Sequence, residues 1–271
     1  MSLQKQAAIL FCKVVGVPQS VVPKLLGVNH KAVENMSSRL HEARAAYVVA
    51  REEHIVFGSG SSWEDVEGDE ATFDKRDVSG GDDQEEDIKN EHCMQWEQWS
   101  GLVQRGRPET LVLSRLSPKL SVKHAPGPGA ITKCDWKPLA AKHLQGRKVI
   151  FHTDSARSYR LKIKDVLHDA VVHQKKRVKV KGKWTWKTPT YVKIFSHTLP
   201  GGKKLKTKGG TQIIDRCWRF IKDRIKRGQN VHTKAGSRSL LIRIRSAQWE
   251  YWHKNDDNWL QTGHMLTWHQ S

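Results

Sequence analysis

Carboxylates are scarce where basic residues crowd. From Val172 to Arg245 the chain carries 22 Lys or Arg and only two acids, Asp215 and Asp223. A segment with so little internal compensation must find its anions in a partner. Paired cysteines are lacking as well. Cys12, Cys93, Cys134 and Cys217 include no CxxC, which argues against a zinc knuckle or a disulfide framework. Reduced thiols fit an intracellular protein, nuclear if the host is a eukaryote and in the cytoplasm or nucleoid if it is a prokaryote. No apolar run approaches the length of a membrane span, and Met1 to Val15 is too short and too interrupted by Lys5 and Lys13 to read as a secretory signal. A membrane is therefore not the expected partner.

What is present sharpens this. The formal net charge is +19 over 271 residues, with 37% hydrophobic residues and eleven Trp to build a core. Glu64 to Glu91 holds 13 acids against 3 bases, so the remaining residues carry 44 bases against 15 acids, or +29. One acidic island sits in a strongly basic protein, and the commonest polyanionic partner is nucleic acid.

Taken in order, residues 4 to 15 read as a helix broken by Gly16 and Pro18. A short helix near Ser20 to Leu26 follows. Gly27 then supplies a left-handed turn position, and Asn29 caps the next helix. Val33, Met36, Leu40 and Tyr47 form one face of that helix, with His30, Lys31, Asn35 and Arg39 on others. Two helices joined this way match helix-turn-helix spacing or an ordinary helical hairpin, and the overall charge favours DNA contact by His30, Lys31, Asn35 and Arg39. Residues 56 to 62 (VFGSGSS) read as a linker. Trp63 to Phe73 is a strand rich in acids, and a polar acidic loop follows from Asp74. Met94–Gln104 and Glu109–Leu116 are strands, Lys137–Leu144 a short helix, and Arg147–His152 a buried strand running into Thr153 and Asp154. Ser158–Leu167 reads as helix and Ala170–His173 as strand. Lys175 to Phe195 alternates as a hairpin turning at Gly182-Lys183, its Lys expected on one side and Trp184 and Trp186 on the other, either in the core or stacking on bases. Pro200 to Gly210 is a basic loop holding Lys203 and Lys204. Ala247 to Trp268 is a Trp-rich helical segment expected to pack on the main domain.

Thr211 to Lys226 is an amphipathic helix whose core stripe is Ile214, Cys217, Trp218, Ile221 and Ile225. Asp215 lies beside that stripe and Lys222 two turns on. Taken alone, Asp215 reads as a salt-bridge partner and Asp154 as a cap for the segment after it. Asp69 at the end of the first strand completes a different pattern: three carboxylates on separate elements, with strands first, then alternating α and β, then a helix with the last acid. That order resembles an RNase H-like fold, whose chemistry requires carboxylates to hold two Mg²⁺ or Mn²⁺ ions without help from His or Cys.

The motifs carry a resemblance. Val66-Glu67-Gly68-Asp69-Glu70-Ala71-Thr72-Phe73, Thr153-Asp154 with Tyr159, His168 with His173, and Thr211-Gln212-Ile213-Ile214-Asp215 with Trp218 and Lys222 are similar, in order and internal spacing, to the DDE/D transposases of ISXO-type insertion sequences. The third acid is Asp where that family usually has Glu or Asn, Gln212 replaces an Asn, and the zinc ribbon that often precedes such domains is absent. The resemblance implies an α/β architecture: an RNase H-like mixed sheet flanked by helices, preceded by a small all-α helix-turn-helix domain. On this reading residues 1–54 are the helix-turn-helix region and 55–62 the linker. Residues 63–245 are the catalytic domain, with an acidic insertion at 74–92 and a basic hairpin at 174–210, and 246–271 the Trp-rich end. The resemblance further implies a transposase that cuts and joins DNA with Asp69, Asp154 and Asp215 as metal-binding catalytic residues. Its partners would be transposon ends, target DNA and other copies of itself, with no small-molecule substrate. Lys175, Lys176, Lys203, Lys204 and Lys222 would contact phosphate. The alternatives are a DNA-binding protein of transposase descent that has lost catalysis, or another nuclease of the same fold.

Overall fold

The computed structural model describes residues 1–58, 60–78, 93–173, 175–199, 201–225 and 235–268, without the side chain of Lys176. The chain divides into two compact units. One gathers Met1–His54 with the C-terminal helices, and the other is built on Ile55–Arg219. Most of the acidic insertion, 79–92, and the stretch 226–234 lie outside the described residues.

The first unit begins with α1 (Leu3–Val14), whose N-terminus is capped by Ser2. The short α2 (Val22–Leu26) ends at Gly27, which takes the left-handed φ of 58° that a Cβ would oppose. Asn29 then accepts from the Lys31 N–H at 2.7 Å and opens the long α3, His30–Glu52. Ile9, Cys12, Val22 and Val33 close the three helices over one small cluster.

In the second unit a mixed sheet has the order β3-β2-β1-β5-β6. Here β1 is Glu64–Asp77, β2 Met94–Gln104, β3 Val112–Arg115, β5 Val149–Thr153 and β6 Val166–Ala170, with β4 (Lys119–Ser121) pairing β2. β1 runs antiparallel to β2 and parallel to β5, and β5 runs parallel to β6. All five residues of β5 are buried, as its central position demands. α4 (Lys133–His143) covers one face. Its Trp136 stacks on Phe151 at 5.1 Å and meets Tyr159 edge-on at 4.8 Å, within a core that also takes Val66, Leu102 and Leu144. β7 (Lys176–Val180) and β8 (Lys183–Lys187) form one separate ribbon, and β9 (Lys193–Thr198) and β10 (Lys204–Gly209) another. α5 (Gln212–Arg224) follows, buried through Ile214, Cys217 and Trp218. α6 (Arg238–Trp252) and α7 (Asn258–Trp268) return to the first unit.

Several expectations are corrected. The residues read as a linker belong to the second unit, because Phe57 is fully buried in its core cluster. β1 continues to Asp77 past a bulge between Thr72 and Asp74, so the acidic loop does not begin at Asp74. Ser158–Leu167 holds only a 3₁₀ turn over Arg157–Arg160, with the next strand at Val166–Ala170. Residues 204–209 form a strand rather than a basic loop. The Trp-rich C-terminus is two helices that belong with the N-terminal helices in the first unit. There Arg44, buried at 3% exposure, lies 4.3 Å over the Trp249 ring and 2.6 Å from Glu250, which also holds Arg224 at 2.6 Å. The polar seam continues through His41 to Ser246 and through Glu52 to Arg245 and Gln248.

Candidate functional site

Asp69 sits on β1 opposite Gly101 of β2. A Cβ on Gly101 would stand 2.6 Å from the Trp218 ring, so its absence lets that indole settle on the sheet. Trp218 Nε1 then donates to Asp69 Oδ2 at 3.2 Å. The helix bearing Trp218 is held at its other end by Glu67, 1% exposed, whose Oε2 accepts the N–H groups of Ile213 and Ile214 at 2.7 and 3.0 Å. A carboxylate at a helix N-terminus satisfies orphan donors and complements the dipole. Arg105 clamps the other Glu67 oxygen at 2.7 Å and reaches the carbonyls of Lys208 and Gly210. Asp69 and Asp215 are thus linked by strand alternation, one glycine and one capping carboxylate.

Asp154 follows β5 directly. One of its oxygens accepts from the Ala156 N–H at 2.8 Å in a local Asx turn; it caps no helix, because only a 3₁₀ turn over Arg157–Arg160 follows, with Ala156 at its start. Asp215 projects from the first turn of α5, exposed, with its Oδ2 accepting from Thr211 at 3.4 Å. The acids sense one another. Burial, then Glu70, Asp154 and Asp215, push the Asp69 carboxyl up to about 8. Burial also raises Glu70, and Asp154 adds to it. Burial raises Asp215, Asp154 reinforces the shift, and His173 and Arg219 oppose it.

Glu70 is the member that sequence reasoning did not single out. Alternation puts it on the α4 side of the sheet, where it accepts from the Ile131 N–H at 3.0 Å and lies beside the buried Tyr159. The signal available was its place next to Asp69 inside the acid-rich strand. Among the described residues, no three His, Cys, Asp or Glu side chains already stand in ligand geometry. The donor set of Asp69, Glu70, Asp154 and Asp215 is all oxygen, which suits hard divalent cations, and the repulsion that adds to burial in raising Asp69, Glu70 and Asp215 is what a bound cation relieves.

Comparison with known proteins finds no match. No family model, no curated protein and no solved structure aligns significantly with the chain. The site therefore stands on its own geometry.

Beneath the acids runs a second network. His152, fully buried, lies 2.7 Å from Asp65 through Nε2 and 3.3 Å from Asp169 through Nδ1. Burial pulls its pKa down, but the carboxylates of Asp169 and Asp65 outweigh that and hold it above the ordinary value. Asp169 also takes His197 and Thr207, each at 2.6 Å, which pins the β9–β10 ribbon over this face of the sheet. His168, the other member of the His pair noted in the sequence, is committed to Thr153 at 2.8 Å.

The remaining predicted DNA contacts belong to both units. His30, Lys31, Asn35 and Arg39 are all exposed on α3, but His30 and Lys31 each lie 3.4 Å from Glu34. Lys203 and Lys204 are exposed where the β9–β10 ribbon turns, Lys175 is exposed before β7, and Lys222 is exposed in the last turns of α5. The side chain of Lys176 lies outside the described residues. Among the described residues no helix is long and apolar enough to cross a membrane.

Proposed function

We propose that this protein is a DNA transposase of the DDE/D type, built on an RNase H-like sheet and a helix-turn-helix region. The observation that carries this is the gathering of Asp69, Glu70, Asp154 and Asp215 from three separate elements, close enough that the other three acids add to burial in pushing Asp69 up to about 8. Four acids held together in a chain of net charge +19 oppose the general trend of the molecule and need a cationic occupant. Asp69, Asp154 and Asp215 would hold two divalent ions, with Glu70 adjusting charge beside Asp154. Such ions would activate an attacking water or 3′-hydroxyl and steady the leaving oxygen of the phosphodiester. The protein's own part is positioning. Trp218 orients Asp69, Glu67 fixes the start of α5 and so Asp215, and surface Lys side chains engage phosphates.

The test is nicking and strand transfer on duplex DNA carrying the element's terminal sequences, with Mg²⁺ or Mn²⁺. Activity is expected from the native chain and loss of at least a hundredfold from Asp69→Ala, Asp154→Ala or Asp215→Ala. DNA binding without cleavage in either metal would favour a non-catalytic relative. Cleavage that survives Asp69→Ala would overturn the assignment of the site.

A further inference from the structure

The β7–β8 ribbon points to a second nucleic-acid site, one for unpaired bases. It is a two-stranded ribbon whose strands pair with each other and, among the described residues, with no other strand. Lys181 and Gly182 close it with φ of 47° and 81°, the positive pair of a two-residue type I′ turn, rather than at Gly182-Lys183 as the sequence suggested. The register places Arg177 opposite Trp186 and Lys179 opposite Trp184. Residues directly opposite share a face. Arg177, Lys179, Trp184 and Trp186 therefore lie together, correcting the expected division of Lys to one side and Trp to the other. Trp184 is 60% exposed and Trp186 67%, so neither indole belongs to a core. Arg177 sits 5.7 Å over the Trp184 ring, holding a cation against an aromatic face.

Two bare indoles on a ribbon carrying Lys175, Lys176, Arg177, Lys179, Lys181, Lys183 and Lys187 and no acid describe a ligand that is both anionic and flat. Trp184 and Trp186 are two strand steps apart, about 6.8 Å. That is twice the ~3.4 Å rise between stacked bases along one strand of a duplex, so both rings can take neighbouring bases only where those bases have come off each other. Beside Trp186 lies an open cavity of about 350 Å³ walled by Lys175, Lys187, Thr188 and Pro189, a concavity with an aromatic wall and a cationic rim.

We propose that this ribbon binds single-stranded or unpaired nucleotides, with Trp184 and Trp186 stacking on bases and the cations flanking them engaging phosphates. This rests on the reading of the protein as one that acts on DNA, and it names the form of DNA this ribbon takes: strand that is unpaired. A membrane surface, which Trp and Lys also suit, is the competing occupant.

The experiment compares the native chain with Trp184→Ala/Trp186→Ala and Trp184→Phe/Trp186→Phe in metal-free buffer. The probes are a fluorescein-labelled mixed-sequence single strand of about 12 nucleotides, the blunt duplex of the same sequence, and phosphatidylserine–phosphatidylcholine vesicles. The Ala pair should weaken single-strand binding roughly tenfold to a hundredfold, the Phe pair should restore most of it, and duplex affinity should stay within about twofold. Because both indoles are exposed, the circular dichroism spectrum and melting temperature should not move. Equal losses on single strand and duplex, an unchanged single-strand affinity, or vesicle binding that alone depends on the two Trp would each overturn the proposal. Any of these with metal-dependent cutting intact sinks the ribbon's role and leaves the transposase reading standing. The predicted stacking without any cutting does the reverse.

Discussion

Asp69 stays protonated to about pH 8 because it is enclosed by protein and faces Glu70, Asp154 and Asp215. The consequence for stability has a definite sign. Between the ordinary carboxyl value near 4 and about 8, the folded protein keeps a proton that the unfolded chain has released. Stability must fall as pH rises through that window. Asp69→Asn has no such proton to keep. In chelator, the melting temperature of Asp69→Asn relative to the native chain should therefore rise from pH 5 to pH 8.5, each unit of pKa displacement being worth about 1.4 kcal/mol. A difference that is flat with pH would show that the carboxyl is not held protonated. Under the proposed function the same residue governs cation binding. Mn²⁺ should raise the native melting temperature more at pH 8.5 than at pH 6, since the proton must leave before the ion is held. In Asp69→Asn that increment should largely vanish, and an undiminished increment would place the ion elsewhere.

At the scale of elements, the site depends on how α5 meets the sheet, and Gly101 is the contact that admits it. A methyl there would sit 2.6 Å from the Trp218 ring and 3.0 Å from the Ile214 methyl. The helix must then lift, at a cost of about 1–3 kcal/mol for overpacking, and Trp218 and Asp215 lift with it. Gly101→Ala should lower metal-dependent cutting at least tenfold while DNA affinity changes little. A variant with native cutting rates would show that the seat of α5 does not set the geometry of the acids. How much of this was legible follows from the distance over which each signal acts. The helix at Thr211, the buried strand ending at Asp154 and the acid-rich first strand could be read because their periodicity and flanking residues are local. The cap that Glu67 places on α5 could not, because 146 residues separate Glu67 from Ile213. Nor could the engagement of His152 with Asp65, 87 residues away, or of Asp169 with Thr207, 38 residues away. Residues 204–209 looked like a basic loop because their Lys and Gly content is that of a loop. Pairing with β9 and the burial of Thr207 decided otherwise. Of the C-terminal Trp read as packing residues, Trp249 and Trp252 are buried but Trp259 is 42% exposed, and their helices belong with the N-terminal helices, because a stripe of Trp does not encode which apolar surface it meets.

For the whole molecule, charge distribution sets how the protein would meet DNA under the proposed function. Away from the island at Glu64–Glu91 the chain carries +29, and exposed bases lie on α3, before β7 and at the β9–β10 turn. Each phosphate contact releases counterions, so affinity for duplex should fall linearly in a log–log plot against salt, with a slope of about −0.9 per phosphate neutralised. Lys203→Ala with Lys204→Ala should make the slope shallower by about two without altering preference among sequences, because contacts to phosphate fix position and carry no sequence information. The α3 face should behave differently. Glu34 lies 3.4 Å from both His30 and Lys31, so Glu34→Gln releases both toward DNA and should tighten binding several-fold at low salt, with the gain shrinking as salt screens it. Fluorescence anisotropy from about 50 to 200 mM salt separates the two. If Glu34→Gln weakened binding, the acid would itself be making a contact with a base, and α3 would be reading sequence through that carboxylate instead of being restrained by it.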